Sequence, residues 1–323
     1  MKLTQKESNP FIYSDSNKRY HTYDYYIKHR FGKKCAKIPL DCGFTCPNID
    51  GRAGYGGCIY CSGRGSGDFA LSSDISVVSQ LDETRKMMEH KWKDCGIIPY
   101  FQAHTNTYAP VSVLSEKYTQ ALEYPDTVGI NIATRADCLP NDVCELLSQL
   151  AEKTVLTVEL GLQTSHDETA RYINRCHTTQ DFINGYERLR SFSKKIGICI
   201  HIINGLPNEN KEMMIQTSEF VASLAPEFVK IHSLHVIDGT VLGEIYKNGG
   251  LPMLTMEQYV DITVEQIERM PAETVIARVT GDGKQSDLLA PDWSIRKTCV
   301  INEIDKRMYA LDTYQGKKHQ SMK

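Results

Sequence analysis

The chain has 323 residues, a formal net charge of −3, 41% hydrophobic residues and 24% charged residues. This composition is that of a globular protein, and the length suffices for one large α/β domain or two small ones. No segment reaches the ~18 consecutive apolar residues of a membrane span, and the polar N-terminus lacks the apolar core of a signal peptide. An odd number of cysteines, eleven in all, predicts free thiols and a cytoplasmic location in the absence of a secretion signal.

The predicted elements alternate between strands and helices after a polar, tyrosine-rich arm at residues 1–37. Apolar runs predict strands at residues 35–40, 97–105, 127–134, 154–160, 196–204 and 228–236. Helices are predicted at residues 75–93, 112–123, 140–152, 178–194 and 211–224, with Asp74 as the cap of the first. Strands that are apolar along their whole length predict a parallel sheet with right-handed helical crossovers.

Six such units predict an α/β fold, a partial (β/α)6 TIM-type barrel over residues 38–250, because a closed barrel needs eight units. Residues 251–323 are predicted to form a small C-terminal extension with a helix near 256–269, a strand near 275–279 and a basic tail. The chain is thus divided into an N-terminal arm at 1–37, the barrel and this extension.

Three cysteines, Cys46, Cys58 and Cys61, lie in one glycine-rich stretch directly after the first predicted strand. Three thiolates on a flexible loop can hold three corners of a cubane iron–sulfur cluster and leave the fourth iron open for a ligand. Cys42 extends the pattern to Cys-x3-Cys-x11-Cys-x2-Cys, and four such cysteines could equally close a tetrahedral zinc site. The long series of strands and helices that follows favours the cluster, because a structural zinc site can stand alone.

Polar side chains follow the other predicted strands, at the edge where a barrel of this type carries its chemistry. They occupy residues 102–107, 133–135, 159–163, 201–205 and 230–232. Apolar strands that end repeatedly in amides, histidines and charged residues are hard to explain by packing alone.

Between about Ile38 and Pro252 these motifs resemble the radical S-adenosylmethionine (SAM) superfamily. The chain is most similar to the branch that contains the elongator catalytic subunit and oxygen-independent coproporphyrinogen oxidase, and within it to the small YtqA/YhcC-like group. The resemblance rests on residues 39–48, 57–61, 101–110 and 159–164. The first cysteine gap is longer than the three residues commonest in the superfamily, and the family pattern does not require Cys42.

The resemblance implies two cofactors, a [4Fe–4S] cluster on Cys46, Cys58 and Cys61 and a SAM molecule that chelates the open iron. One electron would cleave the sulfonium, and the 5′-deoxyadenosyl radical would take a hydrogen atom from the substrate. A reductant such as flavodoxin or ferredoxin is the implied partner.

The resemblance also implies contacts to SAM, for which the candidates are Thr105, Glu159, Gln163, Arg175 and His201. Gln163 and Arg175 match an amide and an arginine that contact SAM in the coproporphyrinogen oxidase group, and Arg175 is expected to pair with the methionine carboxylate. His201 takes a position that is often acidic and faces the ribose. Ala133 replaces another common acid, and Glu159 is expected to compensate. Two alternatives stay open, namely that Arg175 is a surface charge and that His201 is a core histidine.

The N-terminal arm indicates the kind of substrate. Between Lys18 and Lys37 it contains seven basic residues and one acid, Asp24, with tyrosines interleaved. Cations neutralise phosphates and aromatic rings stack on unpaired bases, although a solvated basic face with packed tyrosines explains the same pattern. The elongator catalytic subunit acts on the wobble uridine of tRNA, so the resemblance implies tRNA, and no membrane, as the partner. The chain is too short for an acetyltransferase domain after the barrel. The implied reaction therefore remodels an existing C5 substituent, for example carboxymethylaminomethyl to aminomethyl.

Two other classes of function remain open. A radical SAM enzyme acting on a small molecule or peptide predicts a closed barrel mouth and no need for a basic arm. A zinc-stapled RNA-binding protein without catalysis predicts a colourless protein that uses Cys42 as its fourth ligand.

Overall fold

The structure, a computed structural model, describes residues 9–90, 92–281 and 283–319. These residues form two compact units. The cysteine-loop unit comprises Arg30–Leu162 and Asn174–Cys199, and the C-terminal unit comprises Gln163–Ile173 with the described residues before Arg30 and after Cys199. The division into arm, barrel and extension stays a prediction.

The elements follow one another in alternation along most of the chain. The first part contains α1 (Tyr23–Phe31), β1 (Cys35–Leu40), α2 (Val77–Met88), β2 (Gly96–Phe101), α3 (Val111–Leu122), β3 (Gly129–Thr134), α4 (Asn141–Ala151) and β4 (Val155–Gln163). The second part contains α5 (Asp167–Tyr172), α6 (Thr179–Phe192), β5 (Gly197–Asn204), α7 (Lys211–Ser223), β6 (Phe228–Ser233), β7 (Val236–Ile237), α8 (Val241–Lys247), α9 (Met256–Arg269), β8 (Val275–Arg278), β9 (Leu288–Ala290) and α10 (Lys297–Ala310).

Seven of these strands form one sheet in the order β1-β2-β3-β4-β5-β6-β8, while β7 and β9 form a separate antiparallel pair. The pairs β1–β2, β2–β3, β3–β4 and β6–β8 of the large sheet are parallel, and helices connect its strands. All six residues of β2 are buried, as expected for a strand covered on both faces. The α/β fold and all six predicted strands are confirmed. A seventh strand, β8, comes from the segment that the sequence assigned to the C-terminal extension and pairs with β6.

Local sequence explains where several helices begin. Thr178 and Thr255 begin α6 and α9 with complete capping boxes, in which hydroxyl and third-residue side chain each satisfy a backbone N–H. The predicted cap of α2 is wrong: Ser76 accepts from the Ser79 backbone N–H at 3.0 Å, whereas Asp74 bonds to Ser72. The helix is also shorter than predicted, because it ends at Met88.

The basic tail and the N-terminal arm contain helices that the sequence analysis did not place. Helix α10 buries Val300, Ile304 and Met308, one residue per turn, and α1 buries Ile27. The first eight residues of the arm and the last four of the tail lie outside the described residues. No described helix has the length and apolar character needed to cross a membrane.

Candidate cluster and cofactor site

The cysteine loop connects β1 to α2 and is folded by its own backbone. Ile49 N–H donates to the Cys46 carbonyl at 2.8 Å, and Cys61 N–H donates to the Cys58 carbonyl at 3.0 Å. Gly56 and Gly57 have φ angles of +78° and +73°, in the left-handed region that glycine adopts without strain. The two glycines thus turn the chain immediately before Cys58.

Polar donors contact two of the three cysteine sulfurs. Thr105 Oγ1 donates to Cys46 Sγ at 3.2 Å, and Asn48 Nδ2 donates to Cys58 Sγ at 3.4 Å. The thiol of Cys61 bonds to Cys58, which lowers the pKa of Cys58 to about 6 and raises the pKa of Cys61. Because donors to thiolate sulfur stabilise the charged form, this loop is prepared to present sulfur as a ligand.

A second segment, directly after α5, braces the loop. Asn174 Nδ2 donates to the carbonyls of Tyr55 at 2.9 Å and Gly57 at 2.7 Å, and its own carbonyl accepts from Asn48 at 3.1 Å. The same segment packs closely against Gly54 of the loop, where a Cβ would lie only 2.6 Å from Cys176 Sγ. Sequence reasoning missed Asn48 and Asn174, although an asparagine beside the candidate Arg175 was a usable signal.

Arg135, at the end of β3, contributes positive charge near the thiols. Its guanidinium makes two bonds to the Asp137 carboxylate, at 2.9 and 2.8 Å, and one to the Arg175 carbonyl at 2.7 Å. Its charge is one of the smaller causes of the lowered pKa of Cys58. In the sequence, Arg135 is recognisable only as a polar residue that follows a predicted strand.

Arg175 is 2% exposed, which excludes the surface-charge alternative. Its guanidinium donates to the His177 carbonyl at 3.0 and 2.9 Å and also to the carbonyl of Leu162, the penultimate residue of β4. These bonds give Arg175 a structural task at the end of β4. Its pairing with the carboxylate of SAM stays a prediction.

Glu159 is 1% exposed and lies in a four-strand polar network. Its carboxylate accepts from Lys37 Nζ at 3.1 Å, Asn131 Nδ2 at 2.8 Å and the Tyr100 hydroxyl at 2.7 Å. Each of β1, β2, β3 and β4 supplies one member, and we call the four residues the Glu159 network. Lys37 also lies 4.9 Å from the centre of the Tyr100 ring. The predicted contact of Glu159 with SAM stays a prediction, and its carboxylate already has three protein partners.

The C-terminal unit holds the other two candidates. Gln163, the last residue of β4, has a φ of +69°, an uncommon conformation outside glycine that is worth noting at a strand end. His201, on β5, is half-buried, and its ring centre lies 5.1 Å from that of His232. Gln163 thus ends β4, whereas His201 lies within β5, and the contacts of both with SAM stay predictions.

Cys42 differs most clearly from Cys58. Burial raises the pKa of Cys42 to about 12, whereas the hydrogen bond from Cys61 lowers the pKa of Cys58 to about 6. A zinc site on four cysteines needs four thiolates close together. The assignment of Cys46, Cys58 and Cys61 as the three ligands of a cluster with one open iron stays a prediction.

A half-open cavity of about 680 Å³ adjoins the cysteine loop. Pro47 and Arg52 from the loop line one part of it, and Tyr108 and Val111 line another. The guanidinium of Arg52 lies 5.6 Å from the centre of the Tyr108 ring. The eleven residues between Cys46 and Cys58 therefore supply part of a cavity wall, as well as the turn between ligands.

Two family matches cover most of the chain. Residues 50–221 match the Radical SAM superfamily, and residues 226–310 match the Radical_SAM C-terminal domain. With a partial-barrel sheet and a three-cysteine loop after its first strand, the chain belongs to the radical SAM superfamily, whose members use a [4Fe–4S] cluster and SAM. The predicted family, fold class and cofactors are confirmed.

Individual relatives narrow the place of the chain within the radical SAM superfamily. The chain is 46% identical over 311 residues to the uncharacterized protein YtqA of Bacillus subtilis, covering 96% of each chain. It is 34% identical to protein YhcC of Escherichia coli, over 87% of this chain and 89% of that one. The tRNA uridine(34) acetyltransferase of Methanocaldococcus jannaschii is 29% identical over 159 residues, 48% of this chain and 28% of the relative. The predicted YtqA/YhcC-like group is confirmed.

Among solved structures, the archaeal Elp3 of Methanocaldococcus infernus shares the fold. It superimposes with a TM-score of 0.65 at 17% sequence identity. The match covers 85% of this chain and 63% of the Elp3 chain, so this protein spans less than two thirds of that structure.

Proposed function

We propose that this radical SAM enzyme remodels the C5 substituent of the wobble uridine of tRNA, for example carboxymethylaminomethyl to aminomethyl. A relative named for uridine 34 of tRNA supports the target, although it aligns with only 48% of this chain. The names of the relatives that match most of the chain, YtqA and YhcC, state no activity. The proposed reaction therefore rests on the sequence resemblance, and the proposed tRNA substrate rests also on the exposed cations at the end of α1.

The observation that carries the proposal is a group of exposed cations at the end of α1: Lys28, Arg30, Lys33 and Lys34. Within the part of the chain that the structure describes, only Lys28 among them pairs with a carboxylate, that of Asp24 on the same helix at 2.7 Å, and an exposed pair of this kind is weak. We call these four residues the basic turn. Local positive charge in a chain of net charge −3 is suited to a polyanion such as tRNA.

The rest of the arm has other tasks. Lys18 pairs with Asp305 and the buried Arg19 with Asp312, while Lys37 belongs to the Glu159 network. The Tyr26 ring packs against Phe228 with centres 4.9 Å apart, and Tyr20 is 4% exposed. The expectation that the arm's tyrosines stack on bases therefore loses support, because protein side chains already cover these rings. Within the arm, RNA binding is therefore supported by the exposed cations and not by the tyrosines.

The cavity beside the cysteine loop offers another aromatic surface. Arg52 and Tyr108 lie together at its edge, and unstacked RNA bases bind to aromatic rings and guanidinium planes. The chemistry of the cavity thus agrees with a nucleic-acid substrate.

We further propose that Cys46, Cys58 and Cys61 hold the cluster and that Cys42 does not. When bound, the cluster and SAM supply one-electron cleavage of the sulfonium and hydrogen-atom abstraction from the substrate. Thr105 and Asn48 donate hydrogen bonds to two of the ligand sulfurs, and Asn174 fixes the loop that carries them. A flavodoxin or ferredoxin reductant stays part of the proposal.

Two experiments test the tRNA assignment. Replacing the four residues of the basic turn with serine should weaken tRNA binding and reduce the slope of log affinity against log salt by about 3, if all four contact phosphates. The matched control replaces the exposed Lys86, Lys153, Lys194 and Lys195 with serine and should change neither. In a deletion strain, nucleoside analysis should show wobble uridine with an unprocessed C5 substituent. Unchanged nucleosides there, with unaltered tRNA affinity of the variant, would instead support a small-molecule or peptide substrate.

A further inference from the structure

A concentration of basic side chains lies in the C-terminal unit, apart from the cysteines. Lys230 and His232 are two residues apart on β6 and share one face of the sheet, and Lys230 is in register with Arg278 on β8. The ring of His201 lies 5.1 Å from that of His232. We call the following residues the basic cluster: His201, Lys230, His232, His235, Arg278 and Lys297.

The charged groups that act on His232 and His235 are themselves basic. Burial lowers the pKa of His232 well below its usual value, and His201, Arg278 and Lys230 lower it further. Burial together with Lys297 and Arg278 lowers the pKa of His235 to about 4. The lowered pKa values favour the neutral forms of His232 and His235, so the positive charge of the cluster lies on its lysine and arginine side chains, and a bound anion would favour protonation of the histidines.

One atom of the cluster lacks the partner it needs. His232 Nε2 is shielded from solvent and has no hydrogen-bond partner among the described residues, although the ring as a whole is partly exposed. Buried polar atoms are nearly always hydrogen-bonded, and each exception calls for an explanation. A ligand that reaches the partly exposed ring would supply the missing partner.

The neighbouring histidine is held in place. His235 Nε2 lies 3.2 Å from Ser233 Oγ, and a Cβ on Gly281 or Gly283 would lie 2.7 or 3.0 Å from its ring. The chain therefore fits tightly around His235, while Lys230 is 4% exposed. Fixed basic groups bind an anion with a small loss of side-chain entropy.

We propose that the basic cluster is a subsite for a carboxylate of the substrate, with His232 Nε2 and the Arg278 guanidinium as the donors. This inference rests on the proposed function, because the carboxymethylaminomethyl substituent carries such a carboxylate and the aminomethyl product does not. The subsite would thus distinguish substrate from product by one negative charge.

The test measures binding of two nucleosides to the cluster-loaded protein, 5-carboxymethylaminomethyluridine and its carbamoyl analogue, which lacks the charge. The wild-type protein should bind the carboxylate form roughly 10-fold or more tightly, as expected for a charge-assisted hydrogen bond. His232→Phe and Arg278→Gln should each remove most of this preference, while Arg278→Lys should keep part of it. The matched control is Arg269→Gln, an arginine of the same unit that pairs with Glu219, and it should keep the preference.

The outcomes separate the subsite from the proposed function. Equal binding of both nucleosides to the wild-type protein would overturn the subsite whatever happens to tRNA in the deletion strain. If inorganic phosphate displaces the carboxylate nucleoside at equal concentration, the site is one for phosphate and the carboxylate assignment is wrong. A carboxylate preference that disappears in His232→Phe, found alongside unchanged tRNA nucleosides, would support the subsite and reject tRNA as the substrate.

Discussion

The Glu159 network and the basic cluster both include charged side chains on strands of one sheet, yet their hydrogen bonding differs. In the Glu159 network a buried carboxylate accepts from an ammonium, an amide and a phenol. In the basic cluster the strongest charge effects on His232 come from other bases, and its Nε2 has no partner among the described residues. A completed network stabilises the fold, whereas an incomplete one indicates a place for a ligand.

The cysteine loop belongs with the incomplete group. Donors already contact two of its sulfurs, while the metal that such thiols bind is supplied from outside the chain. The comparison therefore predicts that changes at the cysteines or the basic cluster reduce ligand binding, and that changes in the Glu159 network reduce stability.

The largest effect is expected at the cysteine loop. Replacing Cys46, Cys58 or Cys61 with alanine should each abolish the visible absorption and most of the iron after anaerobic reconstitution, because three thiolates are required. Cys42→Ala is the matched control and should retain both. Loss of the cluster in Cys42→Ala as complete as in Cys46→Ala, or zinc as the bound metal, would favour the four-cysteine site.

Changes in the Glu159 network should lower the free energy of unfolding. Glu159→Leu leaves Lys37 without this carboxylate partner and should cost about 2–3 kcal/mol of unfolding free energy, less than the 3–5 of a fully buried pair, because the Lys37 side chain is 21% exposed. This loss of unfolding free energy is measured by urea unfolding of the wild-type protein and the variant, both without the cluster. A variant as stable as wild type that has lost SAM binding would mean that Glu159 is a cofactor contact, as the sequence resemblance implied.

Substitution of Arg175 tests whether this buried residue stabilises the fold, binds SAM, or does both. Arg175→Met removes bonds to the carbonyls of Leu162 and His177, and should cost about 2–3 kcal/mol, the order of one or two buried carbonyls left without a donor. Comparing its urea midpoint with its SAM affinity separates the two roles. Weaker SAM binding at an unchanged midpoint would support direct contact with the methionine carboxylate.

The loop thiols should differ in their reactivity with iodoacetamide when no cluster is bound. Cys58, with a pKa of about 6, is ionised above that pH, so its alkylation rate should rise through pH 6 and level off by about pH 7. Cys42, with a pKa of about 12, stays protonated and should react slowly throughout. Peptide mass analysis gives both rates, and equal rates at pH 7 would contradict the distinction between them.

The smallest effect is expected from Thr105. Thr105→Val removes the hydroxyl that donates to Cys46 Sγ while keeping the shape of the side chain. Hydrogen bonds to cluster sulfurs raise the reduction potential, so the variant should bind a normal amount of iron at a lower potential, measured by redox titration. Thr107→Val is the matched control, since Thr107 bonds to Thr134 and the Cys138 carbonyl. An unchanged potential in Thr105→Val would remove Thr105 from the site.

Much of the fold was predictable because its signals are local. Apolar runs gave all six predicted strands, and helix α9 matches its predicted bounds from Met256 to Arg269. Helix α10 was missed because its buried residues, Val300, Ile304 and Met308, are separated by charged residues that gave the segment the character of a tail. The place of β8 in the sheet was missed because partner choice depends on residues far away in the chain.

The sequence identified candidate ligands for the site and little of what surrounds them. Spacing singled out the three cysteines, whose role as ligands stays a prediction, but the bonds of Asn48 and Asn174 join segments about 120 residues apart. The arm shows the opposite problem, because its composition suggested RNA binding throughout while Arg19 and Lys37 pair with acids of the same protein. Burial and ion pairing, which composition does not report, separate the exposed cations that we propose to bind a partner from those that pair within the protein.

The most direct test of the central claim is the release of 5′-deoxyadenosine by the cluster-loaded protein, given SAM and dithionite, with and without tRNA from the deletion strain. The account predicts that the product forms, that this tRNA increases its rate, and that the wobble uridine of the same tRNA changes mass. Absence of 5′-deoxyadenosine from protein with a full complement of iron would contradict the account.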